Sequence, residues 1–137
     1  MAKILLVEDN EMNSDMLSRR LQRAGFEVAI APDGRQGVLK AISEKPDLIL
    51  MDLSLPELDG WEATALLKRR QVTSHIPVIA LTAHCMRHEI ERAAAAGCDE
   101  YETKPVVLDR LLQKINVLLK EAQSQAEKHS SPSPEAG

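Results

Sequence analysis

Aromatic side chains are nearly missing from this chain: Trp61, Tyr101 and Phe26 are the only three in 137 residues. Aliphatic side chains must build the core, and the scarcity argues against a base-stacking platform for nucleic acid. An excess of basic charge is missing as well. The 17 Lys and Arg residues face 21 Asp and Glu, a net charge of −4, which is not the basic footprint of a nucleic-acid binder. Cysteine is limited to Cys85 and Cys98, which form neither a metal-ligand spacing nor a disulfide framework. They read as reduced thiols of a cytoplasmic protein, behaving as small hydrophobes. No apolar run approaches the roughly 20 residues needed to cross a bilayer. Met1-Ala2-Lys3 leads straight into a strand, which leaves no room for a signal peptide.

Against these absences stand four short runs, each ending on a residue suited to handling phosphate. Ile4-Leu5-Leu6-Val7 runs into Glu8-Asp9, Leu48-Ile49-Leu50-Met51 into Asp52, Val78-Ile79-Ala80-Leu81 into Thr82, and Tyr101-Glu102-Thr103 into Lys104-Pro105. In the first three, apolar residues follow one another without alternating, as in strands buried on both faces. Helical patterns lie between the runs, so the strands should be parallel with their carboxyl ends on one sheet edge. Ligands of open sheets sit outside that edge.

The order reads β-α five times. Strand 1 covers residues 3–8; helix 1 follows with Met16, Leu17, Leu21 and Ala24 on one face and Gly25 as its stop. Strand 2 is 26–31, and Asp33 with Gln36 predicts a capping box for helix 2, which Pro46 ends near Lys45. Strand 3 is 48–52, followed by a loop from Ser54 to Gly60 in which Pro56 fixes one φ angle. Helix 3 is 61–70, strand 4 is 77–82, helix 4 is 87–96 and strand 5 is 99–103. Helix 4 ends in four alanines, which form helix well but anchor it weakly, so it should be the least firmly packed. Helix 5 carries Leu108, Leu111, Leu112, Ile115, Leu118 and Leu119 at helical period. The folded domain is expected over 1–122, and the polar segment 123–137 is expected to be a disordered tail.

Three carboxylates, Glu8, Asp9 and Asp52, cannot all stay ionised side by side without a cation. Mg²⁺ suits them, because it takes one or two carboxylates and leaves positions for phosphate oxygens. Asp52, ending a central strand, is then suited to form an aspartyl phosphate. Lys104 can pair with the transferring group, and the Thr82 hydroxyl can donate to one of its oxygens. Taken singly, Asp9 would be a turn former, Thr82 a cap and Lys104 a surface lysine. Those readings do not explain why all of them reach one sheet edge. Arg19-Arg20, Arg23 and Lys68-Arg69-Arg70 read as solvated helix faces, and Trp61 as a cover for the sheet.

The set Glu8-Asp9, Asp52, Thr82 and Lys104-Pro105 resembles the receiver domain of two-component response regulators, chemotaxis-type proteins included. Five stretches carry the resemblance in order, beginning at Ile4, Pro46, Leu55, Pro77 and Ala96. The resemblance implies a (βα)5 flavodoxin-like, doubly wound, five-stranded parallel α/β sheet of order 2-1-3-4-5 with helices on both faces. It implies that Asp52 accepts phosphate from a histidine kinase or histidine phosphotransfer protein. It implies Mg²⁺, with Mn²⁺ as a substitute, held by Asp9, Asp52 and the Ser54 backbone carbonyl, with Glu8 acting through water. The Lys104–Pro105 bond would be cis. Thr82 and Tyr101 would act as switch residues that remodel the helix 4–strand 5–helix 5 face where a downstream protein binds. Ser54 and His84 would tune the phosphate lifetime.

The function expected is a stand-alone response regulator, monomeric or weakly dimeric, in contact with neither nucleic acid nor membrane. It would be no enzyme beyond assisting its own phosphorylation and dephosphorylation. The alternative is a pseudo-receiver that binds partners without phosphorylation, against which the intact acidic cluster argues.

Overall fold

The computed structural model describes residues 1–55, 58–83 and 87–130, with side chains to residue 124. Its elements are β1 (Lys3–Val7), α1 (Glu11–Arg23), β2 (Glu27–Ala31), α2 (Gly34–Glu44) and β3 (Leu48–Asp52). They continue as α3 (Gly60–Arg69), β4 (Val78–Thr82), α4 (Arg87–Ala96), β5 (Glu100–Thr103) and α5 (Leu108–Ser130). The sheet is parallel throughout with order β2-β1-β3-β4-β5, as the resemblance implies. The expected loop residue Pro56, Cys85 and residues 131–137 lie outside the described residues.

The unbroken apolar runs are explained by two cores, one on each face. Leu5, Val7, Ile49 and Met51 pack with Ala41, Ala63 and Leu67 of α2 and α3. Ile4, Leu6, Leu48 and Leu50 pack with Leu21, Leu111 and Ile115 of α1 and α5. Alternate residues of each strand point to opposite faces, so both sets must be apolar. Each large aliphatic side chain so buried contributes about 1.5–3 kcal/mol.

The helix ends follow their local chemistry. Asn10, Asp33 and Asp59 cap α1, α2 and α3, each accepting from the backbone N–H three residues on at 2.7–2.9 Å. Gly25 takes φ 100° after α1, a left-handed value that glycine adopts at no steric cost. Pro46 stops α2, and Lys45 takes the left-handed cap at φ 51°.

Three sequence expectations change. The buried face of α1 is Ser14, Ser18 and Leu21, with Leu17 half-buried, whereas Met16 and Ala24 face solvent. The serines tolerate burial because their hydroxyls donate to the carbonyls of Glu11 and Asp15 at 3.0 Å. Lys68 is not a solvated residue. Its Nζ donates to the Ile76 carbonyl at 2.8 Å and to Asp99 Oδ2 at 3.0 Å, tying α3 to the start of β5. Finally, α5 runs to Ser130, into the segment from residue 123 onward that was expected to be a polar tail.

Candidate functional site

Strand register builds the site. Val7 lies level with Met51, Asp52 with Leu81, and Thr82 with Thr103. Glu8 therefore leaves β1, Asp52 and Thr82 end β3 and β4, and Lys104 follows β5, all at one edge. Glu8, Asp9 and Asp52 bring ligand oxygens within 4.8 Å of one another. Asp52 is 2% exposed and Glu8 and Thr82 are each 5% exposed, while Asp9 faces solvent.

Lys104, distant in sequence, is the cation of the cluster. Its Nζ lies 2.9 Å from Asp52 Oδ2 and 3.1 Å from Glu8 Oε1. The other Asp52 oxygen, Oδ1, accepts from the Ser54 backbone N–H at 3.0 Å, and Glu8 Oε2 accepts from that of Asn10 at 3.1 Å. Burial of Glu8 pushes its carboxyl up, and Asp52 adds to the rise; the Asn10 N–H and Lys104 oppose it without cancelling it. Burial alone would lower the Lys104 ammonium, but Asp52 and then Glu8 outweigh it and hold it above its ordinary range. Two of the three acids share one ammonium, Asp9 lies beside them, and all the ligand atoms of the cluster are oxygens. That set suits a hard divalent cation such as Mg²⁺.

The Lys104–Pro105 peptide bond is cis. A cleft of about 270 Å³ opens beside the cluster, lined by Glu8 and Lys104 and by Asn13, Met16, Leu17 and Arg20 of α1. Sequence reading gave these α1 residues no place at the site. Tyr101 is half-buried and packs on Leu53, Ala80 and Ala93 behind the acidic cluster. Ser54 is exposed beside Asp52, and His84 lies outside the described residues. Cys98 is half-buried beside the Thr64 hydroxyl, and burial pushes its thiol up, which keeps it protonated and inert.

One close approach fixes the site from below. A Cβ on Gly60 would lie 2.3 Å from the Asp52 carbonyl oxygen and 2.6 Å from Leu53 Cα. Only glycine lets the start of α3 rest on the backbone of the Asp52 strand.

Residues 4–116 match the family model of the response regulator receiver domain. The chain is 38% identical over 119 residues to the polar-differentiation response regulator DivK of Brucella anthropi, covering 87% of this chain and 97% of that protein. It is 43% identical over 117 residues to hybrid signal transduction histidine kinase G of Dictyostelium discoideum, covering 83% of this chain but only 3% of that kinase. Among solved structures it resembles the receiver domain of sensor histidine kinase PA1611 from Pseudomonas aeruginosa PAO1, which has a magnesium ion coordinated in its active site cleft. That likeness has a TM-score of 0.82 at 34% identity over 87% of this chain and 98% of the other. The chain belongs to the receiver domains of two-component response regulators, signalling domains whose general property is phosphorylation on an aspartate.

Proposed function

We propose that this chain accepts a phosphoryl group on Asp52 from a phosphohistidine of a histidine kinase or histidine phosphotransfer protein, and signals through phosphorylation-dependent protein contact. One observation supports this above the others. A carboxylate 2% exposed ends the central strand β3, hydrogen-bonded to Lys104 at 2.9 Å with two further acids beside it. A buried acid so placed is poised for charge chemistry, not for stability.

Asp9, Asp52 and the Ser54 carbonyl would hold Mg²⁺, or Mn²⁺ in its place, with Glu8 acting through water. Held there, it would supply neutralisation of charge on the phosphoryl oxygens. In the transfer, an Asp52 carboxylate oxygen forms the new bond to phosphorus while the phosphorus–nitrogen bond to histidine breaks and the imidazole leaves. Lys104 releases Asp52 and pairs with a phosphoryl oxygen. The Thr82 hydroxyl donates to another, and Tyr101 turns inward behind it. The domain so assists its own phosphorylation and dephosphorylation, with Ser54 and His84 tuning the lifetime.

The α4–β5–α5 face then presents the output surface to a downstream protein. The likeness to DivK over 97% of that protein's length supports a regulator that acts on its own. It would be a cytoplasmic monomer or weak dimer, with the helical fold carried to the end of α5 at Ser130.

The test is intact mass after incubation with acetyl phosphate, with and without Mg²⁺, beside Asp52→Asn. One added phosphoryl group that needs both Mg²⁺ and Asp52 is expected. A folded protein that gains no mass and binds no beryllofluoride would overturn the proposal in favour of a phosphorylation-independent binding module.

A further inference from the structure

Beneath α4 the core thins. Leu53, Ala80 and Ala93 form a small cluster of their own, flanked by half-buried Trp61, Cys98 and Tyr101. Ala93 is the one side chain that α4 buries, at 3% exposed. An alanine removes little apolar surface from water, so something else must hold the helix. Arg92 supplies a second anchor: its guanidinium lies 3.9 Å from the centroid of the Trp61 ring on α3, well inside the range of cation–π attraction.

The same ring carries an opposing term. Trp61 Nε1 is buried and has no hydrogen-bond partner among the described residues. A desolvated donor without an acceptor penalises the arrangement that holds it. The stack favours α4 where it is, and the orphaned N–H favours an arrangement that returns Nε1 to water or to a carbonyl. Opposed terms on one side chain narrow the gap between two states, as a bistable element requires. The position suits a switch. Trp61 packs on Leu53, the residue after Asp52, whose N–H donates to the Leu81 carbonyl at 3.0 Å. Tyr101 packs on the same cluster.

We propose that the Trp61–Arg92 stack is a latch that holds α4 in its unphosphorylated position and sets the threshold for the phosphorylated one. The latch stands on the resting structure alone; its coupling to phosphorylation rests on the reading of Asp52 as phosphoacceptor. The experiment therefore has two arms.

In the first, hydrogen exchange is followed by mass spectrometry on the unmodified full chain, on Arg92→Ala and on Arg92→Lys. The latch predicts amides of 87–96 exchanging about two- to fivefold faster in Arg92→Ala, the strength of one partly exposed cation–π pair, with α1 and α5 unchanged and Arg92→Lys partly restored. Alanine is the better helix former, so propensity alone predicts the opposite sign. Exchange that is unchanged or slower overturns the latch.

In the second arm, beryllofluoride is titrated with Mg²⁺ while the emission of Trp61, the single tryptophan, is recorded. The expected result is a shift to longer wavelength, with the Arg92→Ala midpoint about two- to fivefold lower than wild type. Equal midpoints overturn the coupling and leave the latch to the exchange data. A wild-type protein that binds no beryllofluoride overturns the phosphoacceptor reading, and the coupling falls with it.

Discussion

Glu8 is an acid that this fold makes hard to keep ionised. It is buried, it faces Asp52, and it shares the Lys104 ammonium with that residue. Its carboxyl is held above its ordinary 4.5, by burial first and by Asp52 next. A raised carboxyl binds its proton more tightly in the folded chain than in the unfolded one. Its stabilising effect is therefore full below 4.5 and is lost as pH rises through the raised folded value. Lys104 has the opposite charge and stays protonated across this window, because Asp52 and Glu8 hold it above 10.5. The metal-free protein should thus lose thermal stability as pH rises from below 4.5 through the raised value of Glu8. Glu8→Gln should flatten that slope and raise Tm by a few degrees above the raised value of Glu8, as removal of a buried charge that must share its counter-ion with Asp52 does. Thermal unfolding in chelator across this pH range checks it. A variant with the wild-type slope would show that Lys104 alone neutralises Glu8.

Among the elements, α3 is the one whose start is fixed by the site. Gly60→Ala would drive a Cβ into the Asp52 carbonyl and Leu53 Cα. The expected result is a loss of about 1–3 kcal/mol in denaturant unfolding, as for other overpacked positions, together with slower phosphorylation because Asp52 must shift. Full phosphorylation rate at reduced stability would show that α3 can slide without disturbing Asp52. Such close approaches bear on what the sequence discloses. Strands β1, β3 and β4 are legible because burial on both faces forces unbroken aliphatic runs, and the caps at Asp33 and Gly25 are legible because their chemistry is local. The inner face of α1 is not, since Ser14 and Ser18 satisfy their own hydroxyls and need no apolar label. Glu102 is not either. It is 2% exposed in β5, and Arg110 Nε reaches its carboxylate at 2.9 Å only because α5 folds back over the strand. The end of α5 also escapes the pattern. A stripe of leucines marks where a helix is buried, whereas propagation along Glu, Ala, Gln and Lys needs no stripe. In the site, the acids and Lys104 are legible as strand ends, but the shared ammonium is not, because Glu8 and Lys104 meet only through the sheet order.

Over the whole molecule, the acidic balance of −4 is gathered unevenly: three carboxylates meet at one sheet edge against one ammonium. A cation that binds this edge in the folded chain alone must stabilise the whole domain, by about 2.7 kcal/mol when its concentration is a hundred times its Kd. General screening of an acidic protein by salt would also stabilise it, so the two effects need separating. Asp9 allows this. It faces solvent, so Asp9→Asn leaves the two cores intact while removing one oxygen ligand from the cluster. Wild-type Tm should rise with Mg²⁺ at constant ionic strength and saturate, whereas Asp9→Asn should need at least about tenfold more Mg²⁺ for the same rise, the cost of one lost charged ligand. Sodium chloride at matched ionic strength should move both proteins equally and far less. Parallel Mg²⁺ curves for the two would mean that the ion acts on net charge and not at this edge. Asp52 would then have to take its phosphoryl group with Lys104 as the sole cation beside it.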